Sequence, residues 1–369
     1  MTGERQDNEA VAMQMPRPGE VLGVGLEAVS AGRLQESVEF FDFAIRLDPE
    51  YAEAYNCKGL VLMETGRLEE AFQCLEKATG LAPGNPKFWY SKSLLFRRLN
   101  MHEDEAQACL NAIKIDSRFA MAWYGRARAL SQLGELEEAL QCLEKCIELE
   151  PFNADMWYHR GTCESLLGAY ERAVRSFDRA IEINNEHARA WCGKGEALAA
   201  MGDRQATLLC FERACAIEPS LPDPWYGRGR VLLLESRYED ALRAFDKAIE
   251  IYPDYADFWL YRGWALEMLA RVADAVESYG KALEADPRNA VAWYMKGVLL
   301  GRTGECGPAI DCFDKAIALK PDYAEAWYRK GLLLGMMGRK EEAAACIDKA
   351  IGLDPKIFEM IKDGLDAST

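Results

Sequence analysis

Ala324-Glu-Ala-Trp-Tyr-Arg-Lys-Gly331 opens a stretch that ends at Ile357, and its spacing settles the architecture. Its Trp327 is the last of a series of tryptophans at 89, 123, 157, 191, 225, 259, 293 and 327, each 34 residues after the one before. A chain of 369 residues would ordinarily divide into two or three globular domains. A fixed spacing of this length marks a repeat array instead. Tyr55 and Val21 fall on the same phase, so ten units of 34 residues begin at 18, 52, 86, 120, 154, 188, 222, 256, 290 and 324.

Numbering each unit from its first residue puts the tryptophan at position 4. Position 8 is small throughout, as in Gly25, Ser93, Ala127, Gly229 and Gly331. Position 20 is Ala in eight units, with Ser37 and Thr207 as exceptions, if Ala106 takes that place in unit 3. Position 24 is large and apolar, as in Leu75, Phe177, Phe245 and Tyr279, and position 27 is Ala in nine units with Cys146 in the tenth. Position 32 is Pro in eight units.

Positions 4, 8 and 11 make one face of a first helix, and 20, 24 and 27 one face of a second. Gly at position 15 in seven units, such as Gly66, Gly134 and Gly338, lies where the first helix must stop and turn. Small residues at 8 and 20 let the helices approach, and the tryptophan is expected to fill the space between them. In Pro321-Asp322-Tyr323-Ala324-Glu325 the Asp-x-x-Glu spacing predicts a capping box. Each hairpin buries its apolar face only by stacking on its neighbours.

The pattern W-x-x-[KR]-G-x-x-L, A-x-x-x-F-x-x-A and P, in register over residues 18–357, resembles the tetratricopeptide repeat (TPR). The resemblance implies an all-α, right-handed superhelical solenoid. It also implies a concave groove lined by the first helices that binds extended peptides or partner helices. The Lys and Asn positions of the chaperone-binding TPR class and the Asn ladder of the glycosylating TPR enzymes are missing here.

Several places bend the pattern. Asn100-Met101-His102 reads as a turn lengthened by one residue, compensated by the six-residue step from Ala106 to Ala112. Pro219, Pro222 and Pro224 stiffen the entry to unit 7, and Arg204 and Thr207 loosen unit 6. Unit 1, with Val21 for Trp and with Gly23 and Gly25, is expected to be the least stable. Residues 1–17 read as a polar, mobile tail. Over 358–369, Ile361 and Leu365 continue the spacing begun at Ile357 and predict a short capping helix and tail.

Positions 2, 5, 9, 12 and 13 should face the groove. Lys87, Tyr90, Arg97, Arg98, Tyr124, Arg128, Tyr158, Tyr226, Arg230, Trp264, Tyr294 and Arg302 are therefore the candidate partner-binding residues. Tyr offers rigid amphipathic area and Arg pairs bidentately with carboxylates. In units 3 and 4 the inward charges are Lys87, Arg97, Arg98 and Arg128 with no acid, so an acidic peptide is the expected partner there, unless the arginines fold back on Glu103, Asp104 or Asp155. Position 7 is basic in nine units, from Lys58 to Lys330. That row reads either as a cationic ladder or as cations snorkelling to a carboxylate at position 25, such as Glu76, Asp246 or Asp314, and the second is favoured.

The net charge of −16 argues against nucleic acid as a partner, and no apolar run reaches the length of a membrane span. The N-terminus has no apolar signal segment, so the cytoplasm is the expected location. Twelve cysteines without a C-x-x-C pair read as small buried thiols, recurring at position 23 in Cys74, Cys109, Cys142, Cys210, Cys312 and Cys346. No metal or other cofactor is expected. His102, His159 and His187 have no nucleophile motif beside them, and there is no phosphate loop, so a non-catalytic protein-binding scaffold is the leading reading. Its rival is a structural protein that self-assembles through its N-terminal repeat, with Phe43 beside Phe40 and Phe41 as an exposed seed.

Overall fold

The computed structural model describes residues 16–357, and the predicted capping helix and most of the N-terminal tail lie outside them. Twenty α-helices follow one another, with no strand among the described residues. They run as α1 (Pro18–Ser30), α2 (Leu34–Leu47), α3 (Ala52–Glu64), α4 (Leu68–Leu81), α5 (Pro86–Arg98), α6 (His102–Ile115), α7 (Ala120–Leu133), α8 (Leu136–Leu149), α9 (Ala154–Leu166) and α10 (Tyr170–Ile183). The series continues with α11 (Ala188–Met201), α12 (Arg204–Ile217), α13 (Pro222–Leu234), α14 (Tyr238–Ile251), α15 (Ala256–Met268), α16 (Val272–Ala285), α17 (Ala290–Arg302), α18 (Cys306–Leu319), α19 (Ala324–Met336) and α20 (Lys340–Leu353). The chain forms two compact units, one ending at Ile183 and one beginning at Asn184. Within each, the helices of a repeat pack on each other, each second helix packs on the next first helix, and neighbouring first helices touch, as α11, α13 and α15 do. The architecture is an all-α solenoid of helical hairpins.

Close approach inside a hairpin depends on position 8. A Cβ on Gly229 would lie 2.5 Å from Cε1 of the fully buried Phe245. Repeat 3 solves the same problem from the other side. Ser93 occupies position 8 there, and position 24 is Cys109, a smaller residue that leaves room for the hydroxyl.

The turn after each first helix places position 15 in the left-handed region. Seven glycines hold φ between +73° and +87°, and Asn100, Ser236 and Ala270 hold +56°, +60° and +58°. Repeat 3 therefore has an ordinary turn. The expected insertion at Asn100–His102 is absent, because α6 begins at His102, position 17, as every second helix does. The register then puts Glu105 at position 20 and Cys109 at position 24, not 23. Left-handed backbone disfavours a residue with a Cβ by about 1–2 kcal/mol, and glycine returns part of that through unfolded-state entropy. Ser236→Gly and Ala270→Gly should each stabilise the chain by about 0.5–1 kcal/mol, read as a higher urea midpoint at unchanged slope. An unmoved midpoint would show that these turns carry no strain.

The tryptophans do not fill the hairpin interior as expected. All eight at position 4 are half-buried, and each indole N–H donates to the carbonyl of position 32 in the preceding repeat. The distances run from 2.8 Å for Trp259 to Pro253 up to 3.1 Å for Trp327 to Pro321. Leu or Phe at position 11, as in Leu62, Leu232 and Leu266, fills the core instead. The tryptophan is thus a strap that ties the inter-repeat loop to the helix it enters. The predicted capping box at Asp322 does not form, since Tyr323 is the N-cap and makes no side-chain cap bond. Side-chain caps come from Asn85, Asn153, His187, Asp203 and Asn289.

Repeat 5 carries an exchange of charge. Glu164 replaces the core leucine of position 11 and is fully buried. It is held by Arg160 and Arg172, each at 3.2 Å, and by the Ser176 hydroxyl at 2.6 Å. Phe43, expected as an exposed seed, is half-buried against the first core cluster, with the Arg46 guanidinium 5.6 Å from its ring centroid. Phe41 is fully buried.

Candidate functional site

Three successive first helices, α11, α13 and α15, enclose a trough of about 590 Å³. Residues at positions 2, 5, 6, 9, 12 and 13 line it: Glu196, Ala199 and Ala200 from α11, Asp223, Tyr226, Gly227, Arg230, Leu233 and Leu234 from α13, and Tyr261 and Trp264 from α15. Tyr255, in the loop before α15, completes the wall. First helices supply most of this surface, joined by Phe211 of α12 and by Tyr255, because their other face is spent on the second helices, where positions 4, 8 and 11 pack.

Tyr226 is the centre of an aromatic cluster. Its ring lies 5.1 Å from Phe258, 5.5 Å from Tyr261 and 6.4 Å from Tyr255, edge-on to the last two. The Arg230 guanidinium lies over both Tyr226, at 5.5 Å, and Tyr261, at 5.8 Å, the usual geometry of a cation–π contact. Burial, and after it the neighbouring Tyr261, pushes the Tyr226 hydroxyl above its ordinary range, so it stays protonated. Trp264 packs 6.0 Å from Tyr261 yet remains 41% exposed, and Leu234 is 60% exposed. These are large apolar groups turned to solvent at a place where the helices do not need them.

Glu196 keeps contact with water, but protein surrounds it closely enough to weaken its hydration. That desolvation, and next the Asp223 carboxylate, raise its carboxyl above the ordinary value, and the Cys192 thiol and Arg230 oppose the shift. A carboxyl raised in the folded state binds its proton more tightly there. Stability therefore falls as pH rises from the ordinary carboxylate value through the raised one. Glu196→Gln removes the effect. It should raise the thermal midpoint at neutral pH and leave it unchanged in acid, where wild-type Glu196 is protonated. A gain of the same size at both pH values would assign the effect to packing.

The other candidate residues lie elsewhere. In the N-terminal unit, Tyr90 sits edge-on to Phe119 at 5.2 Å, Tyr124 edge-on to His159 at 5.3 Å, and Tyr158 5.0 Å from His159. Lys87, Arg97 and Arg98 are exposed and make no ion pair among the described residues. Arg128 pairs with Glu105, which is buried at 2% and also lies 3.7 Å from His102 Nδ1. For Arg128 the alternative to ligand binding, neutralisation by a carboxylate, is what the structure has, through Glu105, which the assumed insertion had moved out of register, and not through Glu103, Asp104 or Asp155. In the C-terminal unit, Tyr294 packs 4.9 Å from Tyr323, and Arg302 is tied to Glu267 at 2.8 Å. Among the candidates, the structure gathers Tyr226, Arg230 and Trp264 at one trough.

Tetratricopeptide repeat family models match residues 120–153 and 324–357, residues 23–86, 226–290 and 269–305, and residues 154–187, 188–221 and 290–323. Together these cover most of the chain. The protein belongs to the tetratricopeptide repeat family. A solved TPR protein from Parabacteroides merdae ATCC 43184 is similar, at 18% identity and a TM-score of 0.54, over 68% of this chain and 98% of that one. YrrB, described as a TPR protein with an unusual peptide-binding site, matches at 24% identity and a TM-score of 0.46 over 52% of this chain and 99% of its own. MamA matches at 21% identity and a TM-score of 0.42 over 45% of this chain and 96% of its own. No curated protein matches the chain.

The basic residue at position 7 has a structural explanation. It reaches back sixteen residues to position 25 of the preceding repeat: Lys58 to Asp42 at 2.6 Å, Lys92 to Glu76, Arg228 to Glu212 at 3.6 Å, Arg262 to Asp246 at 2.7 Å and Lys330 to Asp314. Several of these cations also lie over the TPR tryptophan, as Lys92 does at 5.4 Å from Trp89 and Arg262 at 5.7 Å from Trp259. The row is a set of ties between repeats.

Sequence reasoning missed Glu196, Asp223, Tyr255 and Tyr261. The two acids occupy inward positions 9 and 2 of the TPR unit, so extending the charge count from units 3 and 4 to units 6 and 7 would have found them. Tyr261, at position 6, carries no periodic signal, whereas Tyr255 shares position 34 with the aromatics Tyr51, Phe119 and Tyr323, a recurrence that could have marked it.

Proposed function

We propose that the protein is a non-catalytic scaffold that holds a segment of a partner protein against its first helices, with the trough of α11, α13 and α15 as the principal docking face. The observation that carries the reading is the convergence there of Trp264, Tyr226, Leu234 and Arg230, exposed or half-buried groups of the kinds that dominate binding energy at protein interfaces. Trp264 and Leu234 keep much of their surface exposed, while Tyr226 is partly buried against the core cluster that contains Phe245. The face of repeats 3 and 4, where Lys87, Arg97 and Arg98 are exposed, is the proposed place for an acidic portion of a partner. The cytoplasm is the proposed compartment, in keeping with twelve free thiols, ten of them buried. No helix among the described residues is long and apolar enough to cross a membrane.

Affinity capture from the protein's own lysate tests the reading. Wild type and the Tyr226→Ala, Trp264→Ala variant, matched in helical content, should differ in the partner retained. Identical retained sets would remove the trough from the function. Sedimentation velocity over a range of concentrations tests self-assembly through the N-terminal repeat. A single monomeric species throughout would dismiss it.

A further inference from the structure

We infer that the trough takes a segment in which a lysine or arginine stands beside an apolar or aromatic anchor residue. The inference rests on the trough being the docking face and adds the chemistry of its occupant. Three charged side chains line it, Glu196, Asp223 and Arg230, so the lining is negative by one charge. Arg230 does not cancel Asp223. Its guanidinium lies over the rings of Tyr226 and Tyr261, and among the described residues neither it nor Asp223 has an ion-pair or hydrogen-bond partner. The polar contact given to Glu196 is the Cys192 thiol, which donates weakly at 3.9 Å. Two carboxylates thus face one trough with no cation in direct contact with either, Arg230 acting on Glu196 only through space, and their mutual repulsion is relieved further by a positive group placed between them.

The apolar half of the motif follows from the exposed apolar residues of the same lining. Trp264 and Tyr255 are 41% and 45% exposed, and Leu234 more so, and all three lose apolar surface to water when a side chain settles on them. The volume lies within the range of sites that enclose a small ligand or a few side chains. Arg230, already stacked on two rings, forms the floor against which the anchor rests. At longer range the net charge of −16 draws a basic segment and slows an acidic one. The direction is opposite to that expected from the lysine and arginines of repeats 3 and 4.

Short random peptides displayed on phage and selected on the full-length chain read this preference directly. The expected result is enrichment of Lys and Arg next to Leu, Phe, Tyr or Trp. Affinities of the selected peptides, measured by fluorescence anisotropy, should fall about tenfold in the Glu196→Gln, Asp223→Asn double variant and fall again as salt is raised. Both substitutions neutralise solvent-contacting side chains and leave the helix packing alone. Selected peptides rich in Asp and Glu, with binding lost in Arg230→Ala, would overturn the charge assignment and leave the docking face in place. So would peptides with no charge preference whose binding is lost in Trp264→Ala. Failure to enrich any peptide, or enrichment of peptides indifferent to both Trp264→Ala and the double variant, would sink the docking face together with the inference.

Discussion

Arg128→Ala should destabilise the packing of α6 on α7 by about 2–3 kcal/mol, and Glu105→Ala should not. Glu105 is 2% exposed and depends on Arg128 for its main counter-charge. Removing one partner of a fully buried pair costs about 3–5 kcal/mol, and the lower figure here allows for the Arg128 side chain being 23% exposed and for the nearby His102. Removing Glu105 instead installs the alanine that seven other repeats carry at position 20, so that variant should stay within about 1 kcal/mol of wild type or exceed it. The double variant should recover most of what Arg128→Ala loses. Because repeat arrays open locally, the readout is amide exchange in α6 and α7 rather than a single midpoint. Equal loss in both single variants, with no recovery in the double, would mean that the pair acts through packing and not through charge.

Trp191→Ala should cost about 2–3 kcal/mol, less than the ~3–5 kcal/mol typical of a fully buried tryptophan. Its ring is half-buried, and its indole N–H donates to the Asn185 carbonyl at 3.0 Å. The loss therefore combines partial apolar exposure with a broken strap between the repeat and the loop that enters it. Trp191→Phe keeps most of the area and loses the donor, and should cost about 1 kcal/mol. Amides of α11 and α12 should exchange before those of α15 to α18. Uniform loss of protection along the chain would contradict nearest-neighbour stability, and a loss as small for Ala as for Phe would mean that the strap alone counts.

The period of the tryptophans, the small residues at position 8 and the alanines at position 27 make the helical hairpin and its stacking legible in the sequence. The reason is physical. A repeat contacts only its neighbours, so a local pattern repeated ten times leaves little for distant contacts to decide. Chemistry that breaks the pattern is a different matter. Glu105 and Glu164 sit where alanine and leucine are the rule, and a sequence reader meets them as an indel or a flaw. Each is stable only because a cation from elsewhere reaches it, Arg128 from the next repeat in one case and Arg172 from the facing helix in the other. The trough shows the same division. That positions 2, 5, 9, 12 and 13 face inward follows from helix geometry, and Tyr226, Arg230 and Trp264 could be named from it. Which inward residues meet in one enclosed place depends on how three helices and the Tyr255 loop close on one another. Whether a charge there is spent or free depends on side-chain partners many residues away. Arg128 and Arg302 are inward arginines like Arg230, and only the folded structure shows the first two tied to Glu105 and Glu267 while the third lies on its tyrosines.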